Sequence, residues 1–149
     1  MKASSSVSHS TILALSMIKL YIAGPMRSIP EFNFPAFHAA AKTLREMGFH
    51  VFSPAEMDAI FTPSGELDPV HKYVRRDLHI IVNELHPPND GLVMLPGWAD
   101  STGARAERAV GLWCGLKIMH FVDPGELRVP GQSVLRAEAQ DGRILSESI

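Results

Sequence analysis

Glu107 stands in the stretch Gly97-Trp98-Ala99-Asp100-Ser101-Thr102-Gly103-Ala104-Arg105-Ala106-Glu107, which follows an apolar run from Gly91 to Leu95. A strand, a polar turn with glycines and a helix start carrying one carboxylate together describe a site. If Ser101 or Thr102 caps the helix, Glu107 lies about a turn and a half inside it. A helix N-terminus favours an anionic carboxylate and offers free backbone N–H groups to a ligand, and Gly103 lets that ligand approach the backbone closely. The competing reading is a solvent-facing glutamate on an Ala-rich helix.

Asp77 is a second candidate. It falls within the apolar stripe Val70, Val74, Leu78, Ile81 and Leu85, not opposite it. An acid on an inner face is costly unless it is paired or hydrogen-bonded. Either Arg75 or Arg76 forms a structural ion pair with it, or it points into a cleft. Arg27 and Ser101 form a third pair. Each follows a strand, and with a helix N-terminus they could hold a phosphate. A surface arginine and a plain cap are the alternative. Tyr21 lies in a strand and points to the core or to the cleft mouth. Trp98 could stack on a base or cover the sheet edge.

The elements that must position these residues follow from pattern. Residues 19–23, 49–53, 91–95 and 117–122 read as short apolar strands. Asn33 is an expected N-cap for a helix with Phe34, Phe37, Ala41, Leu44 and Met47 inward, stopped by Gly48. Residues 54–69 read as a long loop with one helical turn around Ala55 to Ile60, either a binding loop or a surface insertion. A helix through Asp77 ends at Pro87-Pro88. Another runs from about Thr102 to Gly115, with Ala106, Ala109, Val110 and Trp113 expected inward.

Strand–helix alternation predicts an α/β protein: a Rossmann-like (flavodoxin-like), doubly wound parallel sheet of four to five strands in the order 2-1-3-4(-5). Ligands of such sheets bind beyond the C-terminal strand ends. That order makes the loops after strands one and three neighbours, placing Gly24, Pro25 and Arg27 beside Gly97–Glu107. The domain is expected over 17–124. Residues 1–16 read as a disordered or loosely packed extension, or as the result of start-codon choice. Residues 125–149 form either a tail or a hairpin, with Asp141-Gly142 turning between Val134–Gln140 and Arg143–Leu145.

Composition limits the function. The 149 residues include 46% hydrophobic and 20% charged residues, with 14 Lys plus Arg against 16 Asp plus Glu. The formal charge of −2 lacks the basic footprint of a nucleic-acid or membrane-surface protein. Thr11 to Ile18 is too short to span a membrane. One cysteine, Cys114, excludes an internal disulfide, and the reducing cytoplasm is the default compartment. His9, His38, His50, His71, His79, His86 and His120 show no metal spacing, so no metal is expected. There is no dinucleotide fingerprint, Walker A sequence or nucleophile elbow.

Tyr21-Ile22-Ala23-Gly24-Pro25, then Arg76-Asp77-Leu78, then Ser101-x-Gly103-x-x-x-Glu107 resemble the nucleoside 2-deoxyribosyltransferase superfamily. Within it the chain is similar to the nucleoside 5′-monophosphate N-glycosidases and to uncharacterised phage and bacterial domains. The likeness covers about residues 18–122. It implies that Glu107 is the nucleophile at C1′, that Asp77 contacts the sugar and assists proton transfer, and that Tyr21 orients Glu107. It implies phosphate contacts from Ser101 and Arg27. Gly24, Pro25, Trp98 and Gly103 are expected to line the same substrate site. The expected reaction hydrolyses the N-glycosidic bond of a (deoxy)nucleoside monophosphate through a covalent glycosyl-glutamate, without a cofactor. Base exchange between nucleosides and non-catalytic nucleotide binding are the alternatives. Asp100, one residue from an aspartate of the transferases, keeps the first of these open. The expected partners are a small nucleotide or nucleoside and further copies of the chain, with no nucleic-acid polymer and no membrane.

Overall fold

The computed structural model describes residues 8–10, 17–61, 70–122, 134–137 and 144–147. The first strand, β1 (Lys19–Ala23), sets the layering. Leu20 and Ile22 point to one face, Tyr21 and Ala23 to the other, and all four are buried. A strand apolar on both faces must be covered on both, which is the condition of a central strand in a parallel sheet. Strand β2 (His50–Phe52) pairs with one edge of β1 and β3 (Gly91–Met94) with the other, both parallel. Strand β4 (Lys117–Phe121) lies parallel beyond β3. The four parallel strands thus stand in the order 2-1-3-4 of a Rossmann-like α/β fold.

The sheet extends further than four or five strands. Strands β5 (Val134–Ala137) and β6 (Ile144–Glu147) form an antiparallel hairpin, and β6 pairs antiparallel with β4. The full order is β2-β1-β3-β4-β6-β5. The turn expected at Asp141-Gly142 lies outside the described residues. The second strand of the hairpin, and not its first, reaches β4. The expectation for residues 1–16 lies largely outside the described residues.

Helix α1 (Phe34–Glu46) covers one face through Phe37, Ala40, Ala41 and Leu44, packed on Leu20, Ile22, Val51, Val93 and Met119. Gly48, at φ 106°, turns the chain out of it. Asn33 occupies the cap position but does not cap. Its backbone is left-handed at φ 60°, and its Nδ2 donates to the Pro25 carbonyl at 2.9 Å instead. Ser28, Glu31 and Phe32 share the left-handed conformation, which costs each non-glycine residue about 1–2 kcal/mol. The loop carrying Arg27 is therefore strained, and Asn33 ties its far end back to Pro25.

The other face is covered by α3 (Val70–His79), which continues as a wider π-type turn, Ile80–Glu84, and by α4 (Thr102–Trp113). Ile80, Ile81, Leu85 and Ala104 pack there on Tyr21, Leu92, Met94 and Ile118. In place of the expected single turn, α2 (Pro54–Phe61) is a helix of eight residues. It sits at the end of β2, with Ala55 in one core cluster and Met57 against the other. The remainder of the expected loop, 62–69, lies outside the described residues.

The inward face of α4 differs from expectation. Ala106 and Ala109 are exposed and Trp113 is 92% exposed, whereas Ala104 and Gly111 are buried. Small residues, not large ones, let this helix lie close on the sheet. A Cβ on Gly111 would come within 2.9 Å of Leu92 Cδ1. Val74, too, is 43% exposed, because the first part of α3 turns Tyr73, Arg76 and Asp77 inward instead.

Close approach recurs between β3 and β4, where a Cβ on Gly91 would run into the Lys117 carbonyl and lie 2.9 Å from Lys117 Cβ. Gly91→Ala is expected to destabilise the protein by about 1–3 kcal/mol in chemical denaturation. An unchanged midpoint would show that the two strands can separate at this point without cost.

Candidate functional site

Strand order brings the site loops together. The Leu95 amide donates to the Ala23 carbonyl at 2.8 Å, continuing the β1–β3 ladder past its last paired residues. Gly24 permits this, since a Cβ there would lie 2.8 Å from Leu95 Cβ. Across the same seam, a Cβ on Gly97 would touch Pro25 at 3.4 Å. Gly24, Pro25 and Gly97 therefore act first as the joint between the two loops. Arg27, exposed on the first loop, lies on the side of Asp58, whose carboxylate it favours electrostatically.

Helix α4 starts at its expected cap. The Ala104 N–H donates to Ser101 Oγ at 3.2 Å, satisfying one of the free amides of the first turn. The cap reading of Ser101 is thus observed, and its hydroxyl proton is still available to an acceptor. Gly103 leaves room over Glu107: the nearest atom to a Cβ there would be Glu107 Oε1, at 3.9 Å.

Glu107 is not solvent-facing. The residue is half-buried, but its Oε2 is fully enclosed and has no hydrogen-bond partner of regular geometry. Burial raises its carboxyl to about 8; the Tyr21 hydroxyl opposes that shift, and the nearby Asp77 charge adds to it. The Tyr21 ring is wholly buried, and its hydroxyl likewise lacks a partner of regular geometry. Burial, then the charges of Glu107 and Asp77, push that hydroxyl well above its ordinary value. The hydroxyl is nonetheless near enough to both carboxylates to favour their ionised forms.

Asp77 is raised to about 6 by burial, against the lowering effect of the Arg76 guanidinium. The ion-pair reading of Asp77 is observed with Arg76: Nε donates to Asp77 Oδ1 at 2.8 Å, and Nη2 lies 2.7 Å from the same oxygen. The same pair also stands beside Tyr21 and Glu107, so the ion pair and the site are one structure. Arg76 Nη2 reaches a third carboxylate, Asp58 Oδ1, at 2.7 Å.

Sequence reasoning missed Asp58, because the segment around it reads as loop. Its residue is 9% exposed. Burial raises its carboxyl, and Arg76 and Arg27 oppose the shift. Helix α2 holds it in place through Glu56, which pairs with both Nη atoms of Arg45 on α1 at 2.6 and 3.0 Å. Ser53, at the end of β2, adds a buried hydroxyl without a partner. The one sequence signal was an acid two residues beyond Glu56, within the short stretch from Ala55 to Ile60 that reads as a helical turn.

Trp98 is half-buried and packs against the core cluster that contains Tyr21, Ala104 and Ile118. Its ring lies 5.8 Å from that of His120, and the Arg108 guanidinium stands 5.0 Å over it. Among the described residues no set of three His, Cys, Asp or Glu side chains could hold a metal ion. No helix among them is long and apolar enough to cross a membrane.

The fold and site define a Rossmann-like α/β protein with an enclosed cluster of carboxylates, a tyrosine and an arginine at the C-terminal edge of its parallel sheet. A family model, the domain of unknown function DUF4406, matches residues 18–120, and the chain belongs to that family. The match takes in every residue of the cluster and stops before β5. No curated protein and no solved structure matches the chain.

The charge state of Glu107 has a consequence for stability. Its folded value, about 8, lies above the ordinary 4.5, so the native state holds a proton that the unfolded chain releases. Stability is therefore expected to fall as pH rises between those values. Glu107→Gln, which mimics the protonated acid, should match the parent near pH 4 and exceed it by about 1–4 kcal/mol at pH 9. Denaturation at the two pH values checks this, and equal stability at pH 9 would refute it.

Proposed function

We propose that the protein hydrolyses the N-glycosidic bond of nucleoside 5′-monophosphates, giving free base and sugar 5-phosphate. The observation that carries the reading is the enclosed Glu107 carboxyl facing the Tyr21 hydroxyl and Asp77 at the ligand-binding edge of a parallel sheet. The motif resemblance to nucleoside 2-deoxyribosyltransferase-type enzymes supports the same roles, and Arg27 and Ser101 on adjoining loops favour a phosphorylated substrate. A cytoplasmic location and self-association fit a nucleotide-processing enzyme with a single cysteine.

In the free protein one proton resides mainly on Glu107. Tyr21, between the two acids, passes a proton to Asp77 and takes the one from Glu107, which leaves Glu107 ionised. Its oxygen attacks C1′ while the C1′–N bond breaks, through an oxocarbenium-like state. The electron pair of that bond goes to the base nitrogen, which takes the proton from Asp77. A water then attacks C1′ of the glycosyl ester, Asp77 accepts its proton, and the Glu107 carboxylate departs. Return of the proton through Tyr21 restores the starting state.

The test is a panel of ribo- and deoxyribonucleotides and nucleosides, with free base followed by chromatography. Turnover of a monophosphate is expected, and Glu107→Ala should lower it by more than about 10³-fold. Activity that survives this substitution would remove Glu107 from the reaction. Because the pair is active with one proton, kcat/KM should be bell-shaped in pH, with flanks near 6 and 8. A flat profile from pH 5 to 9 would contradict the pairing of the two acids. Arg27→Ala should weaken monophosphate turnover about tenfold or more and leave nucleosides little affected. Equal losses on both would argue against a phosphate contact at Arg27.

A further inference from the structure

We propose that Arg76 is a positioning residue for Asp77, and that Asp58 is the anchor that makes it one. The inference deepens the glycosidase reading, yet it concerns a feature of the ligand-free protein that can be measured without any substrate.

Neighbouring residues on an α-helix point about 100° apart and do not ordinarily face each other. Arg76 and Asp77 nevertheless meet through two guanidinium nitrogens, at 2.8 and 2.7 Å. An arginine side chain has many extended rotamers that reach solvent, and curling back onto its own neighbour gives them up. Asp58 supplies what holds it there. Its Oδ1 lies 2.7 Å from Arg76 Nη2, with the arginine and aspartate side chains only 17% and 11% exposed. The Tyr73 ring lies 5.5 Å beneath the guanidinium and limits its swing. A planar guanidinium can engage two carboxylates at once, which a point-charge ammonium does poorly.

The geometry has a directed result. Arg76 Nε and Nη2 both approach Asp77 Oδ1. The guanidinium thus holds the carboxylate beside the Tyr21 hydroxyl, which also favours its ionised form. The anchor comes from a different element, α2, so the position of Asp77 depends on how that helix packs at the end of β2.

The charged and titratable groups around Asp77 are Tyr21 on β1, Asp58 on α2, Tyr73 and Arg76 on α3, and Glu107 on α4, with Arg27 acting on Asp58. Two roles for Asp58 then predict opposite signs. As a nearby negative charge alone, Asp58 raises Asp77, and removing it would lower the Asp77 midpoint. As the anchor of Arg76, its removal frees the guanidinium, and the midpoint rises.

The experiment is a carboxyl-¹³C NMR titration of the full-length, ligand-free protein and of its Asp58→Ala and Arg76→Ala variants. Both variants are expected to shift the Asp77 midpoint upward by at least about half a pH unit. An unchanged or lowered midpoint in a folded Asp58→Ala variant overturns the proposal. If that variant does not fold, Asp58→Asn serves through a second readout. Its Arg76 Nε–H should exchange with water at least about tenfold faster than in the parent, and an unchanged rate overturns the proposal. The two readings separate cleanly: a chain with no glycosidase activity but an upward shift retains the anchor, and an active chain without the shift loses it.

Discussion

Three carboxylates, Asp58, Asp77 and Glu107, converge on one guanidinium, and the rest of the site is arranged around that imbalance. Negative charge enclosed away from water is tolerated only when it is paired, hydrogen-bonded or neutralised by a proton. Arg76 pairs two of the three. The third, Glu107, faces the Tyr21 hydroxyl instead of the guanidinium, and burial makes it retain its proton. Asp90 shows how the same chain treats a carboxylate that serves only structure. It is buried at the opposite end of the sheet, and its two oxygens accept from the amides of Lys19 and His86, each at 2.8 Å. One buried acid is fully satisfied and staples strands together. The other has an enclosed oxygen without a partner of regular geometry and stands among titratable neighbours.

Each element contributes to that arrangement by being close rather than by being large. Gly24 lets the ends of β1 and β3 meet, Gly111 lets α4 settle on Leu92, and Ala104 keeps the first turn of α4 against the sheet. A bulkier residue at Gly111 would press α4 against Leu92 on the sheet. The wider turn at Ile80–Glu84 has a related effect. It lets α3 bury Ile80, Ile81 and Leu85 in the core while its earlier turns present Tyr73, Arg76 and Asp77 to the site. One helix therefore serves core and site with different faces.

Much of this could be read from the chain. Strand runs apolar on both faces, separated by amphipathic helices, specify a parallel sheet, and the order 2-1-3-4 followed. Asp77 announced itself as an acid inside an apolar stripe, and the Ser101 cap lay at its expected place. Other readings failed for identifiable reasons. Hydrophobicity selected Trp113 as an inward residue of α4, but a helix that must lie close to a sheet uses alanine and glycine on its inner face. Three prolines and mixed polarity made residues 54–69 look irregular, and Asp58 was lost with them. Asn33 looked like a cap, and its side chain was taken instead by the Pro25 carbonyl.

The sequence by itself determined the alternation of strands and helices, the positions of Glu107, Asp77 and Tyr21 on those elements, and a formal charge of −2. These are local or periodic properties, and side-chain direction along a strand or helix carries them directly. Only the tertiary structure decided that Glu107 faces inward, that Tyr21 stands between two acids, and that Arg76 turns back to its neighbour because Asp58 holds it. Those facts depend on which surfaces come into contact across residues distant in the chain. The cost of enclosing a charge exists only once that contact has excluded water.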